Sequence, residues 1–92
     1  MGLDDVRRAI DTVDGEIVAL IGRRQRLVRQ ASKFKHDDDE VRAPDRVEQV
    51  IRSVRERAAA SGTDPDVVEA AYRAMIDSFI EYELRIRRHA SQ

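Results

Sequence analysis

Hydrophobic positions recur along the chain at helical spacing in three stretches. From Leu3 the steps of three and four run through Val6, Ile10, Val13, Ile17 and Leu20, which is a heptad seam. Continued, the same steps reach Arg24, then Leu27, Ala31 and Phe34. No proline interrupts Leu3 to about Lys35, so the pattern predicts one helix, roughly 50 Å long at 1.5 Å per residue. One small globule cannot cover that length. The helix either projects into solvent or lies against another subunit.

The run His36-Asp37-Asp38-Asp39-Glu40 breaks the periodicity and reads as a solvated loop. Pro44 suits a first helical turn, where its missing N–H costs nothing. Val47, Val50, Ile51, Val54 and Ala58 form the apolar stripe of this second helix, and Ser61-Gly62 ends it with a glycine free to adopt the left-handed cap. Asp64-Pro65 opens a third helix with an N-cap acid and proline at the first position. Its face runs through Val68, Ala71, Tyr72, Met75, Ile76, Phe79 and Ile86. No internal repeat and no strand-like alternation is present. The expected fold is all-α, with three helices (long, short, medium) in a single domain over residues 1–92.

Composition sharpens this picture. Two Tyr, two Phe and no Trp leave the core of a lone 92-residue chain thin, so a partner chain is expected to complete it. Seventeen basic residues against eighteen acidic give a net charge of −1, which argues against a general nucleic-acid coat. The lack of cysteine excludes disulfides, thiolate metal sites and a Cys nucleophile. The longest apolar run, Ile17 to Ile21, is too short to span a bilayer or to form a signal core, and Val6 stands where a myristoylation signal wants Ser or Thr. A soluble cytoplasmic protein with neither nucleic-acid nor membrane partners is expected. No metal is expected either: consecutive carboxylates at Asp37 to Asp39 cannot converge without a defined turn, and no glycine is placed as in a calcium loop.

Most charges fall on outward faces, among them Glu16, Arg23, Arg26, Arg29, Arg52, Arg55 and Arg57, while Arg87-Arg88-His89 complements a helix dipole. Arg24 is different, because it takes a core position in the seam. Lys35, eleven residues on, lies about 20° away around an ideal helix, so Arg24, Val28, Ala31 and Lys35 line one face. A buried cation without a partner is costly, so an anion should sit there. It is either an acid of another subunit or a bound dianion gripped by a guanidinium fork. Arg7 lies about 25 Å along the helix from Arg24, so a small ligand touching both would take Arg7 from a second, antiparallel protomer. On the third helix Ile76, Phe79, Ile80 and Glu83 share a face, and Glu83 stands where the stripe wants a hydrophobe. Arg46, near the start of the second helix, can bring charge to a pocket mouth.

These residues carry a family resemblance. Leu-x-x-x-Arg, Ile-Asp-x-x-Asp, Leu-Ile-Gly-Arg-Arg and Ser-Lys-Phe-Lys in the first stretch resemble the first helix of the all-helical (AroQ-type) chorismate mutases. The likeness continues through Ala-Pro-Asp-Arg-Val at 43–47 and Met-Ile…Phe-Ile-x-x-Glu at 75–83, and its wording is nearest the branch that includes isochorismate pyruvate lyase. The resemblance implies an intertwined homodimer with shared active sites and no cofactor. By position, Arg7 and Arg24 resemble the arginines that clamp the carboxylates of a chorismate-type dicarboxylate substrate. Lys35 resembles the cation on the ether oxygen, Arg46 a further arginine of the site, and Glu83 the residue that contacts the same oxygen, often Gln. An ionised Glu83 can only accept, so it must be protonated to donate there.

The chain departs from the resemblance at Ala43 and Val47, where mutases fused to prephenate dehydratase have acids near the ring hydroxyl and the lyase branch has apolar residues. Chorismate to prephenate is the first expected reaction. Isochorismate to salicylate and pyruvate follows, then rearrangement of 4-amino-4-deoxychorismate. The reading from another class is a non-catalytic helical dimerisation module, which would leave Arg24 and Lys35 unexplained in the seam.

Overall fold

A computed structural model describes residues 1–90. Four helices follow one another: α1 (Leu3–Ser32), α2 (Asp38–Arg42), α3 (Pro44–Ala60) and α4 (Pro65–Ala90). Among the described residues there is no strand. The three long helices match the expected long, short and medium elements, and the all-α class stands. Among the described residues no helix is long and apolar enough to cross a membrane.

The caps of α3 and α4 form as their residues predict. Gly62 adopts φ 76°, its N–H donates to the Ala59 carbonyl, and the Thr63 N–H donates to Ala58 at 2.9 Å, closing a Schellman motif. Pro44 and Pro65 stand at the first positions of their helices. The Asp64 carboxylate accepts from the Asp66 N–H at 2.9 Å, as an N-cap acid should.

Two boundaries differ from expectation. The acidic run is not all loop: Asp38–Arg42 is a short helix. Asp37 caps it by accepting from the Glu40 N–H at 2.8 Å, three acids complement its N-terminus, and Val41 anchors it in the core at 3% exposure. Meanwhile α1 stops at Ser32, three residues short of Lys35.

The core sits between α3 and α4. Ile51, Val54 and Ala58 from one helix meet Ile76 and Phe79 from the other, all buried. Burial of each large aliphatic or aromatic side chain contributes about 1.5–3 kcal/mol. Ionic contacts line the same junction. Arg55, expected in solvent, is half-buried and donates to Asp66 at 3.0 Å and Glu69 at 2.8 Å. Arg73 donates to both oxygens of Glu48 at 2.9 and 3.0 Å, and to Glu69 at 2.7 Å.

The long helix is another matter. It buries none of its residues, and every position from 1 to 21 is exposed. Leu3, Ile10, Ile17 and Leu20 each keep roughly half or more of their surface open. The molecule is accordingly elongated, 55 × 27 × 16 Å.

Candidate active site

One cleft, of about 340 Å³, collects most of the residues singled out in the sequence. Its size is that of a small-molecule pocket. From α1 come Arg24, Val28 and Ala31, and from α3 Arg46 and Val47. The α4 helix supplies Ile76, Phe79, Ile80 and Glu83, and Lys35 enters from the turn after α1. Arg7 does not reach this cleft in the single chain: it lies on the exposed first half of α1 and is not part of the cleft wall.

Lys35 arrives by a route that differs from an unbroken helix. Beyond Ser32 the backbone tightens: Lys33, Phe34 and Lys35 N–H groups donate to Gln30, Ala31 and Ser32 carbonyls, three residues back. The chain therefore keeps winding in the same sense, and Lys35 still meets the Arg24 face. Its ammonium donates to both oxygens of Glu83, at 3.0 and 3.2 Å. Glu83 is 4% exposed, the one buried charged residue among those described. In this arrangement its carboxylate oxygens accept, and the remaining donor capacity of the ammonium can serve the cleft.

Arg24 has no carboxylate partner among the described residues. Its guanidinium lies 5.3 Å from the Phe79 ring centre and 5.9 Å from that of Tyr72. Aromatic faces attract a cation without consuming its N–H donors. The fork stays free to grip an anion. At the mouth, Arg46 donates to Gln49 at 2.8 Å from one terminal nitrogen and is otherwise exposed.

Two residues of consequence escape the sequence pattern. Arg42, at the end of α2, lines the cleft, because Ala43 takes the left-handed conformation (φ 37°, ψ 61°) that turns the chain from α2 into α3. Arg87 does more than complement the end of α4. Its guanidinium donates to the Lys35 carbonyl at 3.1 Å, the His36 carbonyl at 3.0 Å and the Asp38 carboxylate at 3.3 Å. An arginine one turn beyond Glu83 was the available signal, but its backbone partners leave no mark in a sequence.

The cleft thus carries four cations (Arg24, Lys35, Arg42 and Arg46) and one carboxylate, already engaged by Lys35. That charge balance can accommodate an anion with more than one negative group. Residues 6–84 match the chorismate mutase type II family. The chain is 34% identical over 87 residues to an isochorismate pyruvate lyase of Pseudomonas aeruginosa, covering 95% of this chain and 86% of that protein. It is also 33% identical over 72 residues to the T-protein of Haemophilus influenzae, covering 77% of this chain but only 19% of that protein.

Proposed function

The chain belongs to the chorismate mutase type II family, and on that premise we propose that it catalyses a pericyclic reaction on a chorismate-type dianion, first of all chorismate to prephenate. The observation that carries this reading is the surplus of unpaired cations around a small cleft with apolar walls. Arg24 grips one substrate carboxylate through the fork left free by Phe79 and Tyr72. Arg46 and Arg42 add positive charge at the mouth.

The rearrangement needs no nucleophile and no general base. As the ether C–O bond breaks and the new C–C bond forms, negative charge grows on the ether oxygen. Catalysis therefore rests on holding the enolpyruvyl arm over the ring and on a donor at that oxygen. Lys35 is that donor. Glu83 holds the ammonium in place by both oxygens and, when protonated, is itself a donor to the same atom.

The site is completed by a second copy of the chain, antiparallel along α1, whose Arg7 reaches the second substrate carboxylate. This homodimer accounts for the exposed Leu3 to Leu20 seam and for an Arg7 that does not line this cleft within its own chain. A second reaction has its own support. Isochorismate lysis transfers a ring hydrogen instead of forming a carbon bond. It is favoured by the similarity to a protein named for that activity and by apolar Ala43 and Val47 in the cleft wall.

Incubation of the pure protein with chorismate, isochorismate and 4-amino-4-deoxychorismate in turn, with product identification, tests the proposal. Prephenate is the expected product. Salicylate with pyruvate would move the assignment to the lyase, and a rearranged amino product to the third substrate. A folded protein that turns over none of them would leave only a helical dimerisation module.

A further inference from the structure

We infer that Arg87 is a positioning residue for Lys35, an inference that rests on the pericyclic reading for its catalytic consequence. Lys35 lies beyond the end of α1, in a connection to α2 whose residues 33 to 37 belong to neither helix. A four-carbon side chain rooted in such a segment would spread its ammonium over several ångströms unless both its root and its tip were held. The tip is held by Glu83, at 3.0 and 3.2 Å. The root is held by Arg87, whose two terminal nitrogens donate to the carbonyls of Lys35 and His36 at 3.1 and 3.0 Å.

Glu83 and Arg87 are four residues apart on α4, hence one above the other on the same face. One helix therefore fixes a single catalytic lysine at two points. The third bond, from Arg87 Nε to Asp38 at 3.3 Å, ties in the start of α2. The Asp38 side chain is 69% exposed, so this ionic contact contributes little by itself. The two carbonyls matter more: they belong to the backbone that carries Lys35, and a planar fork can hold both at once. Other bonds of the segment add to its shape: the Lys35 N–H donates to the Ser32 carbonyl at 3.2 Å, the His36 N–H donates to Glu40 at 2.8 Å, and Asp37 caps α2.

The consequence is specific. Loss of the fork leaves Arg24 and Arg46 in place and loosens the segment that carries the donor to the ether oxygen. A displacement of about 1 Å at a reacting group can cost up to about a hundredfold in rate. Arg87→Ala and Arg87→Lys should therefore lower kcat about tenfold or more while KM changes by less than about threefold. Lysine is included because it keeps the charge and the stem yet cannot fork, and it serves if the alanine protein fails to fold.

The test has two arms. In the first, kcat and KM are measured for both variants and for Arg87→Ala combined with Lys35→Ala. Once Lys35 is gone, the Arg87 change should cost nothing further in kcat. A full additional loss, an unchanged kcat in the single variants, or an effect confined to KM would each overturn the inference. In the second arm, amide hydrogen exchange is followed in the folded Arg87→Lys protein. Exchange should quicken at residues 35–41 and stay as in the parent across α3. If this segment exchanges as in the parent, Arg87 holds nothing there and the inference falls. Should the parent protein turn over none of the three substrates, the reaction assignment fails on its own, and the exchange arm still decides whether Arg87 anchors the Lys35 segment.

Discussion

Lys35 and Glu83, forty-eight residues apart in sequence, meet through two hydrogen bonds from one ammonium to one carboxylate, at 3.0 and 3.2 Å. The pair is asymmetric in its surroundings. Glu83 is buried at 4% exposure, whereas the Lys35 side chain keeps a quarter of its surface open toward the cleft. The carboxylate is thus the buried partner, and the ammonium is the one that lies open to the cleft. Each depends on the other: without Lys35, Glu83 is a buried acid with no cation, and without Glu83 the ammonium has no anchor.

Lys35→Ala should therefore do two things at once. Removal of one donor to a developing oxyanion lowers kcat by about a hundredfold or more, with a smaller change in KM. The orphaned Glu83 also destabilises the fold by about 1–3 kcal/mol. Steady-state kinetics read the first and thermal unfolding the second. The Lys35→Ala, Glu83→Gln double variant should recover part of the lost stability and, because a glutamine amide can donate to the ether oxygen, only a small part of the rate. A rise in KM with kcat preserved would move Lys35 into the carboxylate clamp.

Arg24, Lys35 and Glu83 stand out in the sequence because each puts charge on an apolar helical face, where a misplaced charge is visible in a periodic pattern. Arg46 stands out instead by its place near the start of the second helix and by the family resemblance. Lys35 reached its place although its helix ends at Ser32, because three-residue turn bonds continue the winding. What was hidden has a common cause as well. Arg87 bonds to backbone carbonyls, and Arg42 enters the cleft through the backbone turn at Ala43. Neither contact has a side-chain signature. The α2 helix was masked by its own composition: a run of acids looks like solvated charge, although Asp37 offers an N-cap and the acids suit a helix start.

The ionic contacts between α3 and α4 predict a direction for acid stability. Hydrogen bonds from Arg73 hold the Glu48 and Glu69 carboxyls below the usual value of 4.5, with Arg55 adding to the effect on Glu69. A carboxyl lowered by folding contributes stability that is complete above its unfolded value and is lost as pH falls through its folded value. The melting temperature should thus decline as pH drops below about 4.5. In Arg73→Ala the decline over that window should be shallower, because the two carboxyls then titrate nearer their unfolded value. Parallel curves for parent and variant would show that these contacts contribute nothing. The groups are at least partly exposed, so added salt should also shrink the difference.

Ala43 predicts a gain. It is the only non-glycine residue with positive φ among those described, at 37°, and it precedes Pro44. Left-handed backbone costs an L-residue about 1–2 kcal/mol. Glycine removes that cost but loses about 0.5–1 kcal/mol through its freer unfolded chain. The difference leaves Ala43→Gly more stable by about 0.5 kcal/mol, or roughly 2–4 °C in Tm for a domain of this size. The α2–α3 turn carries Arg42 and Arg46 to the cleft, so turnover in this variant should stay within about twofold of the parent if the turn geometry is kept. A lower Tm would mean that the alanine methyl packs in a way that outweighs the backbone relief.

The separation of Arg7 from the cleft predicts complementation between subunits. Arg7→Ala and Arg24→Ala should each abolish most activity when alone, since every site of either homodimer lacks one clamp. After subunit exchange about half of the dimers are mixed, and one of the two sites in each keeps both arginines. Activity should then return to about a quarter of the parent level, because an antiparallel pair sorts both lesions into a single site. If the exposed apolar seam of α1 is the dimer surface, exchange runs through first-order dissociation, so its rate should not change with protein concentration. Formation of mixed dimers is verified by mass with one partner isotopically labelled. If such dimers form and remain as inactive as their parents, Arg7 acts within its own chain or not at all, and the shared-site arrangement is wrong.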